Sequence, residues 1–347
     1  MGFLRYVGKR TIYTIVLLFF IALFNYFLFQ ILPALTICGK GLSFQTCVET
    51  LYLPPTPARG AAGFAQVKLE QAAIIKAYGF DQIPIMRVLL YIKNMFTFNF
   101  GYHMIVGSTT PGPVINTILV RAPYTILLLG ASTVAGFLIG IGVGVIAAAK
   151  RGKLIDVSFL SSLLFLNSLP VFFLGALLIL IQIYLTGTPY TNVGNATQLK
   201  TGLAFDIGVL KSFFLPFITL TLANLGGVFL TQRAVMIDTV AEDYILMARA
   251  KGVPERTVMF KHAFRNAVLP IFTAFAISVG FILSGAVITE TVFQFPGLGL
   301  YLYNGILNND YPLEQAMFFI ISLMVLICIF IADVTYGFLD PRVRTLG

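Results

Sequence analysis

The chain has 347 residues, 58% of them hydrophobic and 11% charged, with a mean hydropathy of +0.90. Those values exclude an ordinary water-soluble domain, in which about 25% of residues are charged. The net charge of +9 does not indicate nucleic acid as a partner, because Lys and Arg gather at one side of successive apolar runs, as membrane sidedness requires.

Apolar runs of about 20 residues are long enough to cross the hydrocarbon layer. Six are predicted, at 11–32, 124–149, 157–185, 213–231, 271–289 and 316–336, which makes an all-α polytopic membrane protein with both termini on one side. The first run is expected to be retained: it is too long for a signal-peptide core, and no small-residue cleavage pattern follows Leu32. Residues 33–121 are expected to form a small helical extracytoplasmic cap. Within it, 67–78 is predicted helical with Gly79 as its cap, and 84–96 is predicted as a second, amphipathic helix opened by Pro84.

Cys38 and Cys47 fall in this cap with Gly39 and Gly41 between them, and an oxidising face favours a disulfide there. Cys328, inside the last run, is expected to be a packing residue. Asn195-Ala196-Thr197 is a sequon in the second external connection, of consequence only in a host that glycosylates its surface proteins.

Sidedness comes from the connections. Arg5, Lys9 and Arg10 precede the first run, Lys150, Arg151 and Lys153 join the second and third, and Arg342 and Arg344 lie in the tail. Between the fourth and fifth lie Arg233, Arg249, Lys251, Arg256, Lys261 and Arg265. The opposite connections carry no Lys or Arg over 290–313 and only Lys200 and Lys211 over 186–212. Both termini are therefore expected in the cytoplasm, with the chain in the cell membrane.

Within the membrane, Gly136, Gly140 and Gly144 recur every four residues on one helix face, a spacing that lets another helix approach closely. Pro170, after Asn167 and Ser168, predicts a kink in the third run. No Asp, Glu, His, Lys or Arg lies near the centre of any run, which argues against an ion-coupled secondary carrier. There is no phosphate-binding G-x-x-x-x-G-K-[ST] loop, and His103 and His262 are the only histidines. No metal-ligand cluster or Ser-His-Asp arrangement can be assembled, so neither catalysis nor a cofactor is expected in this chain.

The segment 243–270 remains to be explained. It is long, basic and helix-compatible, with Gly252 and Pro254 breaking it into two helical runs. Anchoring explains the charge, whereas a docking element for a cytosolic partner also explains the length and the break. The residues Asp243-Tyr244-Ile245-Leu246-Met247-Ala248-Arg249-Ala250-Lys251-Gly252, followed by His262, Arg265-Asn266-Ala267 and Leu269-Pro270, resemble the cytoplasmic loop of ATP-binding-cassette importer permeases of the dipeptide, oligopeptide and nickel family. The resemblance extends to Arg121-Ala122-Pro123-Tyr124-Thr125, Glu290-Thr291-Val292-Phe293, Pro296-Gly297-Leu298-Gly299, Asp310-Tyr311-Pro312 and Leu339-Asp340-Pro341-Arg342, so it runs from about residue 80 to the end. Leu246-Met247-Ala248 stands where the generic importer motif has Glu-Ala-Ala, and Ile31 to Thr36 replaces a P-G-D-P run.

The resemblance implies a type I importer permease fold with six transmembrane helices. Residues 1–32 would be the N-terminus and first helix, 33–121 the cap, 122–338 a five-helix core and 339–347 a tail. A coupling loop at 233–269 would seat Tyr244 and Met247 in an ATPase groove, with Gly252 allowing close approach and Arg249 and Lys251 pairing with acidic groups. The implied partners are a second permease, two ATPase subunits that hold ATP and Mg, and an extracytoplasmic binding protein. Peptides or oligosaccharides are the implied cargo, and free nickel is least supported for want of ligands. Two alternatives stand beside this reading: an ion-coupled secondary transporter, and an assembly subunit without a conduction path.

Overall fold

A computed structural model describes residues 3–36, 44–53, 64–103, 112–187, 207–268, 271, 275 and 287–339. These residues are helical apart from turns, extended connections and one antiparallel bridge between Tyr102 and Pro113. The chain separates into two compact units, 1–123 with 297–330 and 340–347, and 124–296 with 331–339.

In the first unit, α1 (Phe3–Tyr26) passes through a π-helical turn (Phe27–Ile31) into α2 (Leu32–Thr36). The resulting apolar stretch, Leu4–Thr36, outruns the predicted 11–32 at both ends. Three cap-region helices follow: α3 (Phe44–Tyr52), α4 (Phe64–Tyr78) and α5 (Pro84–Phe96). Gly79, at φ +64°, ends α4, and the Phe80 N–H reaches back to the Ile75 carbonyl at 3.1 Å, closing the last turn. α5 begins where proline is tolerated, at its first position, and buries Arg87, Tyr91, Asn94 and Met95 at helical spacing.

Helix α3 was not predicted. Its anchors are Cys47 and Tyr52, both buried. The Tyr52 hydroxyl donates to Gln315 Oε1 at 2.9 Å, Gln315 Nε2 donates to the Tyr78 hydroxyl at 3.0 Å, and Asn25 Nδ2 donates to the Gln315 carbonyl at 3.0 Å. Burial pushes the Tyr52 and Tyr78 hydroxyls up, so both remain neutral phenols. The Tyr78 and Phe80 rings stack beside Tyr52 with centroids 5.5 Å apart. This unit also holds α6 (Val114–Ala149) up to Pro123, α12 (Leu298–Asn308) and α13 (Tyr311–Leu339) up to Phe330.

The second unit continues α6 from Tyr124 and adds α7 (Leu154–Ser168), α8 (Val171–Thr186) and α9 (Ile207–Val240). The expected kink at Pro170 is a complete break: α7 and α8 meet at 105°. Leu169, at φ −80° and ψ 131°, is extended, as the proline ring demands of its predecessor, and Pro170 has no N–H to continue the ladder. The single third span expected at 157–185 is therefore two helices.

The glycines of α6 lie against α9. A Cβ on Gly136 would stand 3.1 Å from the Thr221 carbonyl oxygen, one on Gly140 3.3 Å from that of Leu225, and one on Gly144 3.2 Å from that of Phe229. Gly226 does the same for α7, whose Leu163 carbonyl would lie 2.9 Å from its Cβ. Four described helices are long and apolar enough to cross a membrane, Leu4–Thr36, Val114–Ala149, Ser212–Val240 and Tyr311–Thr335, and the bent α7–α8 pair makes up to five. The predicted fifth run, 271–289, lies largely outside the described residues, as do Asn195, Cys38 and the tail after Leu339.

Candidate functional site

The segment between α9 and the fifth run folds as helix, glycine break, helix. α9 stops at Val240, and α10 (Asp243–Ala250) begins after an extended Glu242. Thr239 Oγ1 donates to the Val235 carbonyl at 2.7 Å, while Ala241 and Glu242 close tight turns onto Asp238 and Thr239. Asp243 occupies the first turn of α10, where a carboxylate favours the helix dipole. The turn carries Ile245 into a core made with Val145, Met236, Val258, Met259, Ala263 and Ala267.

At the other end, Gly252 adopts φ +77°. Its N–H bonds the Arg249 carbonyl at 2.9 Å and that of Val253 bonds the Ala248 carbonyl at 3.3 Å, the paired closure that requires a left-handed residue. Glycine is needed here for its backbone conformation, since a Cβ would meet nothing within 4 Å. Pro254 opens α11 (Glu255–Thr257), which runs into a π-helical turn (Val258–Ala263) and further helix over 264–268.

Two side-chain bridges brace the two arms. Arg249 grips Glu255 through Nη2–Oε1 at 2.7 Å and Nε–Oε2 at 3.2 Å, and Asn266 Nδ2 donates to the Tyr244 hydroxyl at 2.8 Å. The hydrogen bonds from Arg249 hold the Glu255 carboxyl below the usual range. Arg249, expected to be available to a partner's acids, is thus already engaged within the loop. Lys251 and Ala250 are exposed, and Tyr244, Leu246, Met247 and Phe260 expose apolar surface.

A second arrangement, not evident from the sequence, ties the start of α7 to α9. Asp156 at the start of α7 is buried, and Arg233 of α9 clasps it with both forks, Nε–Oδ1 at 2.6 Å and Nη2–Oδ2 at 2.8 Å. The Gly152 N–H also donates to Asp156 Oδ2 at 2.9 Å. The signal was present as Gly152 four residues before Asp156, but Arg233 is 77 residues away and reads locally as one more basic flank. Removing the Arg233 side chain (Arg233→Ala) is expected to cost about 1.5–3 kcal/mol, the range for a hydrogen bond to a charged group. Thermal unfolding of the purified protein checks this, with Arg233→Lys expected to recover only part, because one ammonium cannot reproduce the fork.

Glu290 is likewise buried and accepts from Thr125 Oγ1 at 2.6 Å. Among the described residues no three His, Cys, Asp or Glu side chains are grouped to hold a metal. The expected disulfide involves Cys38, outside the described residues.

The comparisons with known proteins add to this geometry. The pattern of the binding-protein-dependent transport system inner membrane component family matches residues 140–345. The chain belongs to this family. It is similar to the di/tripeptide transport system permease protein DppB of Pseudomonas aeruginosa, with 32% identity over 88% of this chain and 94% of the relative. It is also similar to the oligopeptide transport system permease protein AppB of Bacillus subtilis, at 32% identity over 80% and 87%. The dipeptide transport system permease protein DppB of Escherichia coli K12 is 29% identical over 88% and 94%. The matched stretch spans the whole glycine-broken loop.

Proposed function

We propose that this chain is one permease subunit of an ATP-driven importer of peptides and that it forms half of the translocation path. The observation that carries the reading is α10, a short helix with an exposed apolar face at Tyr244, Leu246 and Met247. It is fixed to α6 and α9 through Ile245 and braced by Arg249–Glu255. Such an element passes a push as a rigid body, so closure of two cytosolic ATPase subunits around it would switch the spans between two states. Lys251, exposed beside the engaged Arg249, would meet an acidic groove.

The remaining assignments follow from that reading. ATP and Mg belong to the ATPase partners, and this subunit is non-catalytic and holds no cofactor. A second permease completes the pore, an extracytoplasmic binding protein delivers the cargo, and both termini lie in the cytoplasm. The relatives' names favour peptides over oligosaccharides as cargo. The test is dipeptide uptake into proteoliposomes holding this chain with its co-expressed permease, ATPase and binding-protein partners. Uptake is expected to require ATP and the binding protein. Transport by this chain alone, under an ion gradient and without any ATPase, would overturn the assignment in favour of secondary transport.

A further inference from the structure

Within the second unit, α6, α7 and α9 line an open cleft of about 300 Å³, near the lower end of small-ligand sites, which run to roughly 1,000 Å³. Phe137, Val228 and Ile271 give it apolar walls, and Asn167, Asn224 and Thr231 supply its polar groups. Gly226 brings α7 onto α9, since its Cβ would lie 2.7 Å from that of Asn167, and this close approach stands the Asn167 amide over the bare backbone of Gly227. The break at Pro170 ends α7 one residue after Ser168, so Asn167 sits on the last turn.

Among the described residues, no hydrogen bond joins the Asn167 or Asn224 side chain to another residue; Asn167 is exposed in the cleft and Asn224 half-buried. Asn224 lies in the candidate span Ser212–Val240 and Asn167 in the first arm of the bent α7–α8 pair, where an unpaired amide is costly unless it faces water or a ligand. Thr231 Oγ1 donates to the Gly227 carbonyl at 2.9 Å, so toward the cleft its hydroxyl offers lone pairs only. Among the described residues, no titratable side chain lines the cleft. The lining therefore combines amide donors, amide acceptors and one further acceptor with apolar walls and no charge.

That set matches the one group every peptide repeats, a neutral N–H beside a neutral C=O. We propose that this cleft is a transit subsite for the peptide main chain, in which the Asn167 and Asn224 carboxamides pair with backbone amides of the passing cargo. A charge-free lining neither attracts nor repels ionic side chains, so the subsite reads the backbone and leaves sequence selection elsewhere. The inference rests on the peptide-importer reading.

The experiment uses the assembled complex with its binding protein in proteoliposomes, and compares Ala-Ala with its analogue N-methylated at the peptide bond, which lacks the main-chain N–H. In the parent complex Ala-Ala uptake exceeds that of the analogue. In Asn224→Leu and Asn167→Leu, Ala-Ala uptake is expected to fall about ten-fold per amide removed, while uptake of the analogue changes little, so the preference shrinks. Asn224→Gln, which keeps the carboxamide, is expected to retain the preference. The binding protein is the same in every sample, so its own selectivity cancels.

A Gly227→Cys variant gives an independent readout. Its thiol is expected to react with a water-soluble thiosulfonate, and saturating Ala-Ala is expected to slow that reaction. Complexes are scored only when they co-purify with all partners, which removes misfolded variants. An undiminished preference in both Leu variants, or labelling of Gly227→Cys unaffected by Ala-Ala while the complex transports it, overturns the subsite and leaves the importer reading intact. Absence of ATP-dependent Ala-Ala uptake by the parent complex overturns both.

Discussion

With valine in place of Gly252, ATP-driven dipeptide uptake by the assembled complex is expected to fall about ten-fold or more while the chain still inserts and co-purifies. Gly252 sits at φ +77°, where a β-branched side chain is strained by its own backbone, at a cost of about 1–3 kcal/mol, and each 1.4 kcal/mol is a factor of ten. The chain escapes that strain by unwinding Lys251 and Gly252, which forfeits the bonds from Gly252 to Arg249 and from Val253 to Ala248. The rigid link between α10 and the following arm is then lost. Open space surrounds the position, so a clash is not the cause, and Gly252→Asn is expected to keep most of the uptake because asparagine tolerates the left-handed region. Uptake and ATP hydrolysis measured on the same proteoliposomes check this. Equal uptake by the parent and Gly252→Val would refute the role of the turn, and equal loss in the Asn and Val variants would refute the backbone argument.

That turn was legible because its determinants are local. Gly252 and Pro254 lie two residues apart after a run of helix formers, and a reader of the sequence needs no partner to see the break. The same holds for α5, whose start at Pro84 and end near Phe96 follow from proline placement and amphipathic spacing, and for α4, closed by Gly79. Where the sequence was silent, the cause was distance along the chain. Helix α3 is held by Tyr52 bonding to Gln315, a residue 263 positions away. Asp156 depends on Arg233, and the turn after α9 brings Ile245 into one buried core with Met236.

Pro170 is intermediate. Its local rule foretold a disturbance, but the 105° turn also reflects where α8 finds its own contacts. Gly175 receives the Phe293 ring, which would stand 2.9 Å from a Cβ there. Arg249 shows another limit. Its charge was legible in the sequence, whereas its pairing with Glu255 six residues on was not. The cleft amides combine both cases: Asn167 and Asn224 are visible as polar residues in apolar runs, yet only the approach allowed by Gly226 puts them on one cleft.

Leucine at Gly140 is expected to lower the unfolding temperature of the purified protein in detergent by about 5 °C, and leucine at Gly142 to leave it nearly unchanged. The two positions are neighbours in the same helix with the same composition around them, so propensity and hydrophobicity cancel in the comparison. They differ in what they face. A Cβ on Gly140 would stand 2.8 Å from Val228 Cγ1 and 3.3 Å from the Leu225 carbonyl oxygen, whereas one on Gly142 would meet nothing within 4 Å. Side chains can rotate out of the way, but the Leu225 carbonyl moves only if α9 itself moves, and overpacking that shifts a backbone costs about 1–3 kcal/mol. Without a hydrophobic drive between helices in lipid, this close approach is a main source of their attraction, so separating them gives up contacts along Gly136 and Gly144 as well. Gly144→Leu is therefore expected to behave like Gly140→Leu, since its Cβ would meet Gln232 at 2.8 Å and the Phe229 carbonyl at 3.2 Å. Equal shifts at 140 and 142 would show that the faces of α6 are interchangeable and that the glycine spacing does not hold α6 to α9.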